Sequence, residues 1–323
     1  MRISLIAAAA ALVTSILGPS TAIAEADYPS KPVRIVIGFA AGGGTDTIAR
    51  MLAEGLSKQI DQPVVVENRP GAGGTLAASY SAAADPDGYT LYFSGTSTLI
   101  GPVFVENAGY DPVKSFAGVA NINETPLALV AGPSFPADDV RGMIEEAKAK
   151  PGELFYATPG VGTTQHLLIE MLEREAGIDL QDAPYQGAAP SIAAVISGEI
   201  PLAIISLSAA IEQAKGGKIK ILGITSPERV SDYPDIPAIG ETVAGYGALP
   251  SNFLVSPAGT PQTIIDILSD ATASVVEDPE FVDFLKKQGL LPKYMPAAEL
   301  DVRIASETAK WTEVARSLPA SGK

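Results

Sequence analysis

The chain contains no cysteine, one histidine, one tryptophan and 6% aromatic residues, and its 22 Lys and Arg are outnumbered by 37 Asp and Glu. Each shortage removes a class of function. Without thiols there is no disulfide framework, no thiol nucleophile and no thiolate metal site. With His166 as the only imidazole, a multi-histidine zinc or iron centre is excluded, and a Ser-His-Asp arrangement has a single candidate base. No Gly-x-Ser-x-Gly elbow occurs either. A net charge of -15 argues against nucleic acid or anionic lipid as a partner. It says nothing against a small anion, because a buried site can be locally positive. The fold must be held by packing, which a hydrophobic content of 46% allows.

Long apolar runs are also missing, apart from one at the start. Met1-Arg2 precedes an apolar stretch from Ile3 to Leu17, a Gly18-Pro19 breaker and then Ala22-Ile23-Ala24. One positive residue, a short apolar core and small residues at Ala22 and Ala24 describe a secretory signal peptide over 1–24, too short for a membrane span. The mature protein is therefore expected in the periplasm, with about 300 residues, enough for two cores.

What is present is a repeating order of β-branched run, glycine turn and amphipathic run, the pattern of an α/β protein with a parallel sheet covered by helices. Val33 to Ile37 reads as a strand, Phe39-Ala40-Ala41-Gly42-Gly43-Gly44 as a turn, and about Thr47 to Gln59 as a helix preceded by Thr45-Asp46. Pro63 to Glu67 is a second strand, Asn68 to Gly74 a second turn, and Tyr89 to Ser94 a third strand. A similar unit follows, with strands at Leu127 to Val130 and Leu154 to Ala157. Its turn, Thr158-Pro159-Gly160-Val161-Gly162-Thr163-Thr164, opens a helix through His166 and Leu172.

These two glycine turns place bare N–H groups at the positive start of a helix, where an anion is stabilised, and glycine lets a ligand approach the main chain. The first turn lacks the Lys-Ser/Thr of a P-loop and the third glycine of a dinucleotide fingerprint, and Asp46 repels a polyphosphate. A single carboxylate is the better match. Either turn can also be a plain strand-to-helix connection, and Asp46 fits a helix cap as well as a partner for a ligand amine.

A dozen ordered motifs then resemble one family. They include Tyr28-Pro29-Ser30-Lys31-Pro32-Val33-Arg34, Phe39 to Asp46, Glu67-Asn68-Arg69-Pro70-Gly71-Ala72-Gly73-Gly74, Pro86-Asp87-Gly88-Tyr89, Gly160 to Leu167, Pro184-Tyr185-Gln186-Gly187-Ala188-Ala189-Pro190, Pro257-Ala258-Gly259-Thr260-Pro261 and Trp311. The chain is similar to the Bug-type (TctC-like) receptors of the tripartite tricarboxylate transporters. That resemblance implies a two-lobed type II periplasmic-binding-protein, or Venus-flytrap, architecture. Residues 25–126 and 252–323 are expected to form lobe 1, and 127–251 lobe 2.

The resemblance further implies a small carboxylate gripped between the lobes and handed to membrane transporter subunits by a monomer without cofactor, metal or catalytic residues. Carried over by motif, Phe39, Ala40, Gly42, Gly43, Thr45 and Asp46 would form one jaw, and Thr158, Gly160, Gly162, Thr163 and His166 the other. Thr75, Ser94 and Tyr185 are further candidates. The hinge is expected near Glu124 to Leu127 and Pro250 to Leu254. A receptor that feeds a membrane sensor kinase, or a periplasmic hydrolase, would be the alternatives. The chain departs from the family at Ser251-Asn252-Phe253, where a tryptophan is common, and around Gly198-Glu199-Ile200-Pro201. The absence of arginine from both turns favours backbone recognition of one carboxylate.

Overall fold

A computed structural model describes residues 28–160 and 162–317 of the chain. The expected signal peptide lies outside them. The first unit runs β1 (Val33–Ile37), α1 (Gly44–Gln59), β2 (Val64–Asn68), a 3-10 turn (Ala72–Gly74), α2 (Thr75–Ala82), β3 (Thr90–Gly95), α3 (Thr96–Phe104) and β4 (Phe116–Glu124). The second runs β5 (Leu127–Ala131), α4 (Val140–Ala149), β6 (Phe155–Thr158), α5 (Thr164–Ala176), β7 (Gln181–Pro184), α6 (Ala188–Ser197), β8 (Leu202–Ser206), α7 (Leu207–Lys215) and β9 (Lys220–Ile224). The chain then returns through β10 (Ser251–Pro257), α8 (Gln262–Val276), α9 (Pro279–Lys287), β11 (Leu291–Pro296) and α10 (Ala297–Ser317).

The strands form two separate sheets in an α/β fold, ordered β11-β4-β10-β3-β1-β2 and β7-β6-β8-β5-β9. The parallel pairing read from the sequence holds for β2-β1-β3 and for β7-β6-β8. It fails elsewhere. β10 is antiparallel to both β3 and β4, β11 is antiparallel to β4, and β5 is antiparallel to β8 and β9. The difference arises because β10 inserts between β3 and β4 only after the chain has built the second sheet, so it enters from the opposite end.

Side chains alternate or run buried as the layers require. Val33, Ile35 and Ile37 face Ile48, Leu52 and Leu56 of α1, while Leu129, Leu202 and Ile204 pack with Leu167, Leu168 and Leu172 of α5. The backbone passes from the first sheet to the second at Thr125-Pro126 and back at Leu249-Pro250, where the Thr125 N–H donates to the Pro250 carbonyl at 2.7 Å. Arg303 of α10 clamps this crossing, donating to Glu124 Oε1 and to the Leu249 carbonyl, each at 2.8 Å.

One helix does not keep to one sheet. α10 begins against the first, with Leu300 and Ile304 beside Tyr92 and Phe116. It ends in the core of the second, where Trp311, Val314 and Ala315 join Leu167 and Met171, together with Ile100 from α3. Trp311 is fully buried, and its indole N–H donates to Glu307 at 2.8 Å. Residues 297–317 therefore divide their packing between the two bodies rather than belonging wholly with 252–296.

Replacing Trp311 with Ala should cost about 3–5 kcal/mol, the range for removing a large buried aromatic. Urea unfolding of the mature protein and the variant, followed by circular dichroism, measures it.

Candidate functional site

Four helices begin at the gap between the sheets. β1 hands the chain to α1 through Gly38 to Gly43, and the second turn reaches α2 through Gly71 to Gly74. A Cβ at Gly38 would collide with the backbone of Gly74, so these two turns lie in contact only because residue 38 is a glycine. The N-caps of α1, α2 and α3 are Gly43, Gly74 and Gly95, none of which offers a side chain to the first N–H groups of its helix. The fourth start, α5, is capped by Thr163, whose Oγ1 accepts from the His166 N–H at 3.4 Å and donates to the Gly160 carbonyl at 2.7 Å.

A cavity of about 510 Å³ lies at this meeting point. Its first-sheet wall comprises Phe39, Thr45, Ala72, Gly73 and Thr75, the length of α3 from Thr96 to Phe104, and Ser251 and Asn252 at the start of β10. Its other wall is Leu127 with Gly162, Thr163, Thr164 and Gln165, and the crossing residues Thr125 and Pro250 join the two. The walls also touch. The phenyl ring of Phe104 lies over Gly162, where an added Cβ would meet it at 3.4–3.5 Å. Gly162 also holds φ at +79°, a left-handed value that disfavours any side chain.

The expected jaw residues divide accordingly. Phe39, Thr45, Thr75, Gly162 and Thr163 line the cavity. Ala40, Gly42 and Gly43 sit on the exposed side of the first turn and do not line it. Thr158 and Gly160 brace the second turn from within: the Gly160 N–H donates to Thr158 Oγ1 at 3.3 Å, and that hydroxyl donates to the Gly160 carbonyl at 3.2 Å. Ser94 is buried, hydrogen-bonded to Tyr92 Oη at 3.1 Å and to Thr98. Tyr185 donates to Glu199 at 3.3 Å, away from the cavity; burial and Glu199 raise its pKa.

Two of these side chains have structural occupations. α1 starts three residues earlier than its apolar periodicity implied, so Asp46 lies inside the first turn and is not the cap. Its carboxylate accepts from the Gly42 N–H at 2.9 Å, from both Arg50 Nε and Nη2 at 2.9 Å, and from Asn68 Nδ2 at 2.8 Å. The Arg50 hydrogen bonds, helped by those from Gly42 and Asn68, overcome burial and hold its pKa at about 2. His166 is buried, accepts weakly at Nδ1 from the Gly162 N–H at 3.4 Å, and has Nε2 3.5 Å from Glu170. Burial lowers its pKa, with Glu170 and Asp182 acting the other way.

The sequence reading missed α3 and the start of β10. Gly95-Thr96-Ser97-Thr98 repeats the strand, glycine and hydroxyl order of the other turns and was the available clue. Ser251-Asn252, read from the sequence as a departure from the family and as part of the hinge, supplies the wall beside it. A Cβ at Gly95 would lie 2.8 Å from Asn252 Oδ1 and from the Ser251 carbonyl oxygen, so the close pairing of the two strand ends there needs a glycine.

A second hollow, of about 590 Å³, lies against α10 and is lined by Glu124, Arg303, Glu307 and Lys310 among others. Its cations are already paired, Arg303 with Glu124 at 2.8 Å and Lys310 with Glu307 at 3.2 Å. Among the described residues, no group of three or more His, Cys, Asp or Glu is placed to hold a metal ion.

Comparisons with known proteins show the family and the fold. The family model TctC, described as the tripartite tricarboxylate transporter family receptor, matches residues 48–319. The BugT protein of Bordetella pertussis is 30% identical over 311 residues, covering 95% of each chain. A protein from R. palustris solved with adipate is 30% identical with a TM-score of 0.72, covering 90% of this chain and 98% of its own. MatC from Rhodopseudomonas palustris, solved with bound malate, is 29% identical with a TM-score of 0.71, covering 89% and 100%.

The Asp46 cluster sets an acid limit. Its pKa is depressed on folding, so the stability it contributes is complete above about pH 4 and is lost as pH falls through about 2. Thermal melts of the wild type and Asp46→Asn from pH 6 to 2 should show a Tm gap that is constant at the upper end and narrows below pH 4.

Proposed function

Since the chain belongs to the receptor family of the tripartite tricarboxylate transporters, we propose that it is a periplasmic solute-binding protein that closes on a small carboxylate and presents it to membrane transporter subunits. The observation that carries this reading is the cavity between the sheets onto which the starts of α1, α2, α3 and α5 open. Helix starts present N–H donors and a partial positive charge, which suit one carboxylate. The relatives solved with adipate and with malate support the same ligand class.

The jaws in this reading are the Thr45, Gly73–Thr75 and Thr96–Ser97 segments on one side and Gly162 to Gln165 on the other. A ligand bridging both favours the closed arrangement by its differential affinity for it. The hinge in this reading lies at Thr125-Pro126 and Leu249-Pro250, where the chain leaves the first sheet and returns to it and where Arg303 ties the two crossings together. The protein acts as a monomeric carrier and not as an enzyme. Its one imidazole is buried and engaged with Gly162 and Glu170, which leaves no base to activate a nucleophile in the cavity.

A thermal-shift screen of the mature protein against mono-, di- and tricarboxylates tests this. A ligand at one hundred times its Kd adds about 2.7 kcal/mol of stability. Ser97→Glu and Thr164→Glu each put a negative charge at a cavity-lining helix start, a placement helices tolerate. Each should weaken binding of the stabilising acid at least a hundredfold in calorimetry, with an unchanged circular dichroism spectrum. A stabilising solute that is neutral or cationic, with no response to any carboxylate, would refute the reading.

A further inference from the structure

The crossing between the sheets has an open space on each side. Neighbouring residues divide between them: Thr125 and Pro250 line the cavity, whereas Glu124 and Leu249 line the hollow of about 590 Å³ against α10, and no described residue lines both. Successive residues of an extended chain face opposite ways. The crossing is therefore a partition, with the cavity in front of it and the hollow behind. Each space also takes a wall from each body. Behind the partition these are Met295 with the face of α10 on one side, and Pro227 with Gly247 to Leu249 on the other.

A rotation about the partition cannot change one space alone. The part of α10 that lines the hollow packs on the first sheet through Leu300 and Ile304, so widening the cavity drives it towards Pro227 and the 247–249 segment, and narrowing the cavity draws it away. In the present arrangement the cavity walls already touch, with the Phe104 ring over Gly162. The movement left to the bodies is opening, and opening compresses the hollow. α10 reaches across this space twice, Arg303 donating to the Leu249 carbonyl at 2.8 Å and Lys310 to the Gly247 carbonyl at 3.0 Å. Beside these ties the wall is sparsely filled: Ala298 and Ser306 are small and exposed, and Val302 is 71% accessible.

We propose that the hollow behind the crossing controls the cavity in front of it: bulk placed there resists opening, holds the two bodies closed and raises the affinity for a ligand that it never touches. This rests on the closing receptor described above and adds the place where its range of movement is set. The effect is a shift of population. When only a fraction of the ligand-free molecules is closed, apparent affinity is reduced by that fraction, and a change that favours closure restores it by the same factor for every ligand. A side chain in contact with the ligand would instead favour one ligand over another.

Val302→Trp and Ser306→Trp fill the hollow from exposed positions of a helix, where substitution costs the fold little; circular dichroism checks this. X-ray scattering from the ligand-free mature protein should give a smaller radius of gyration for both variants than for the unsubstituted chain. In calorimetry with adipate and with malate, each acid that binds should gain at least threefold in affinity, and by the same factor where both bind. Unchanged scattering, a smaller gain or weaker binding overturns the proposal. Unequal gains for the two acids overturn it as well, because they place the new side chain against the ligand. If no carboxylate binds any of the three proteins, the carboxylate reading fails, while the scattering still decides whether the hollow governs closure.

Discussion

Backbone amides can grip an anion only where no side chain stands in front of them, and that constraint shapes the region between the two sheets. Gly38 lets its turn touch that of Gly74, Gly95 lets β3 end against Asn252, and Gly162 accepts the ring of Phe104. Charge is dealt with by keeping it elsewhere. Asp46, the acid in the first turn, is buried and matched by Arg50, so it braces the turn without opposing a ligand anion. The result is a cavity whose described lining carries no charged side chain and onto which the starts of α1, α2, α3 and α5 open.

The packing beneath this site limits how it can move. Ile100 of α3 and Trp311 of α10 lie in one apolar cluster with Leu127 and Leu167, while Leu99 and Leu300 of the same two helices lie in a cluster of the first sheet, so both helices pack into both bodies. The hydrogen-bonded crossing at Thr125 and Pro250 and the Arg303 clamp lie in the same region. Opening by rotation about the crossing must therefore carry α3 and the end of α10 with one body or slide them over the other. Because Ile100 is a wall of the cavity as well as a member of that cluster, the cavity and the packing between the two bodies share a side chain.

Much of this was legible from residue pattern, and the parts that were not have physical reasons. The runs around Val33 and Val64 and the apolar periodicity of Ile48, Leu52 and Leu56 carry their structure locally. α3 does not: Gly101 and Pro102 interrupt its interior, and tertiary burial of Leu99 and Ile100 overrides that weak propensity. β4 hides behind buried Asn121 and Asn123, which break the apolar alternation of a central strand, and β11 has prolines at its second and last positions. The start of α1 was misplaced because Asp46 looks like a cap in sequence, whereas its partners, Arg50 and Asn68, become apparent only in three dimensions. The glycine turns were visible as a chemistry. That α3 forms the longest wall between them was not, since it depends on which sheets the turns belong to.

The most direct test of the account is an amide proton-nitrogen NMR titration of the mature protein with a carboxylate that stabilises it. The account predicts that the largest downfield amide shifts fall on both sides of the gap, at Thr45 and Thr96 on one wall and Thr164 and Gln165 on the other. Shifts confined to one wall, or gathered instead in the hollow beside Arg303 and Lys310, would contradict it.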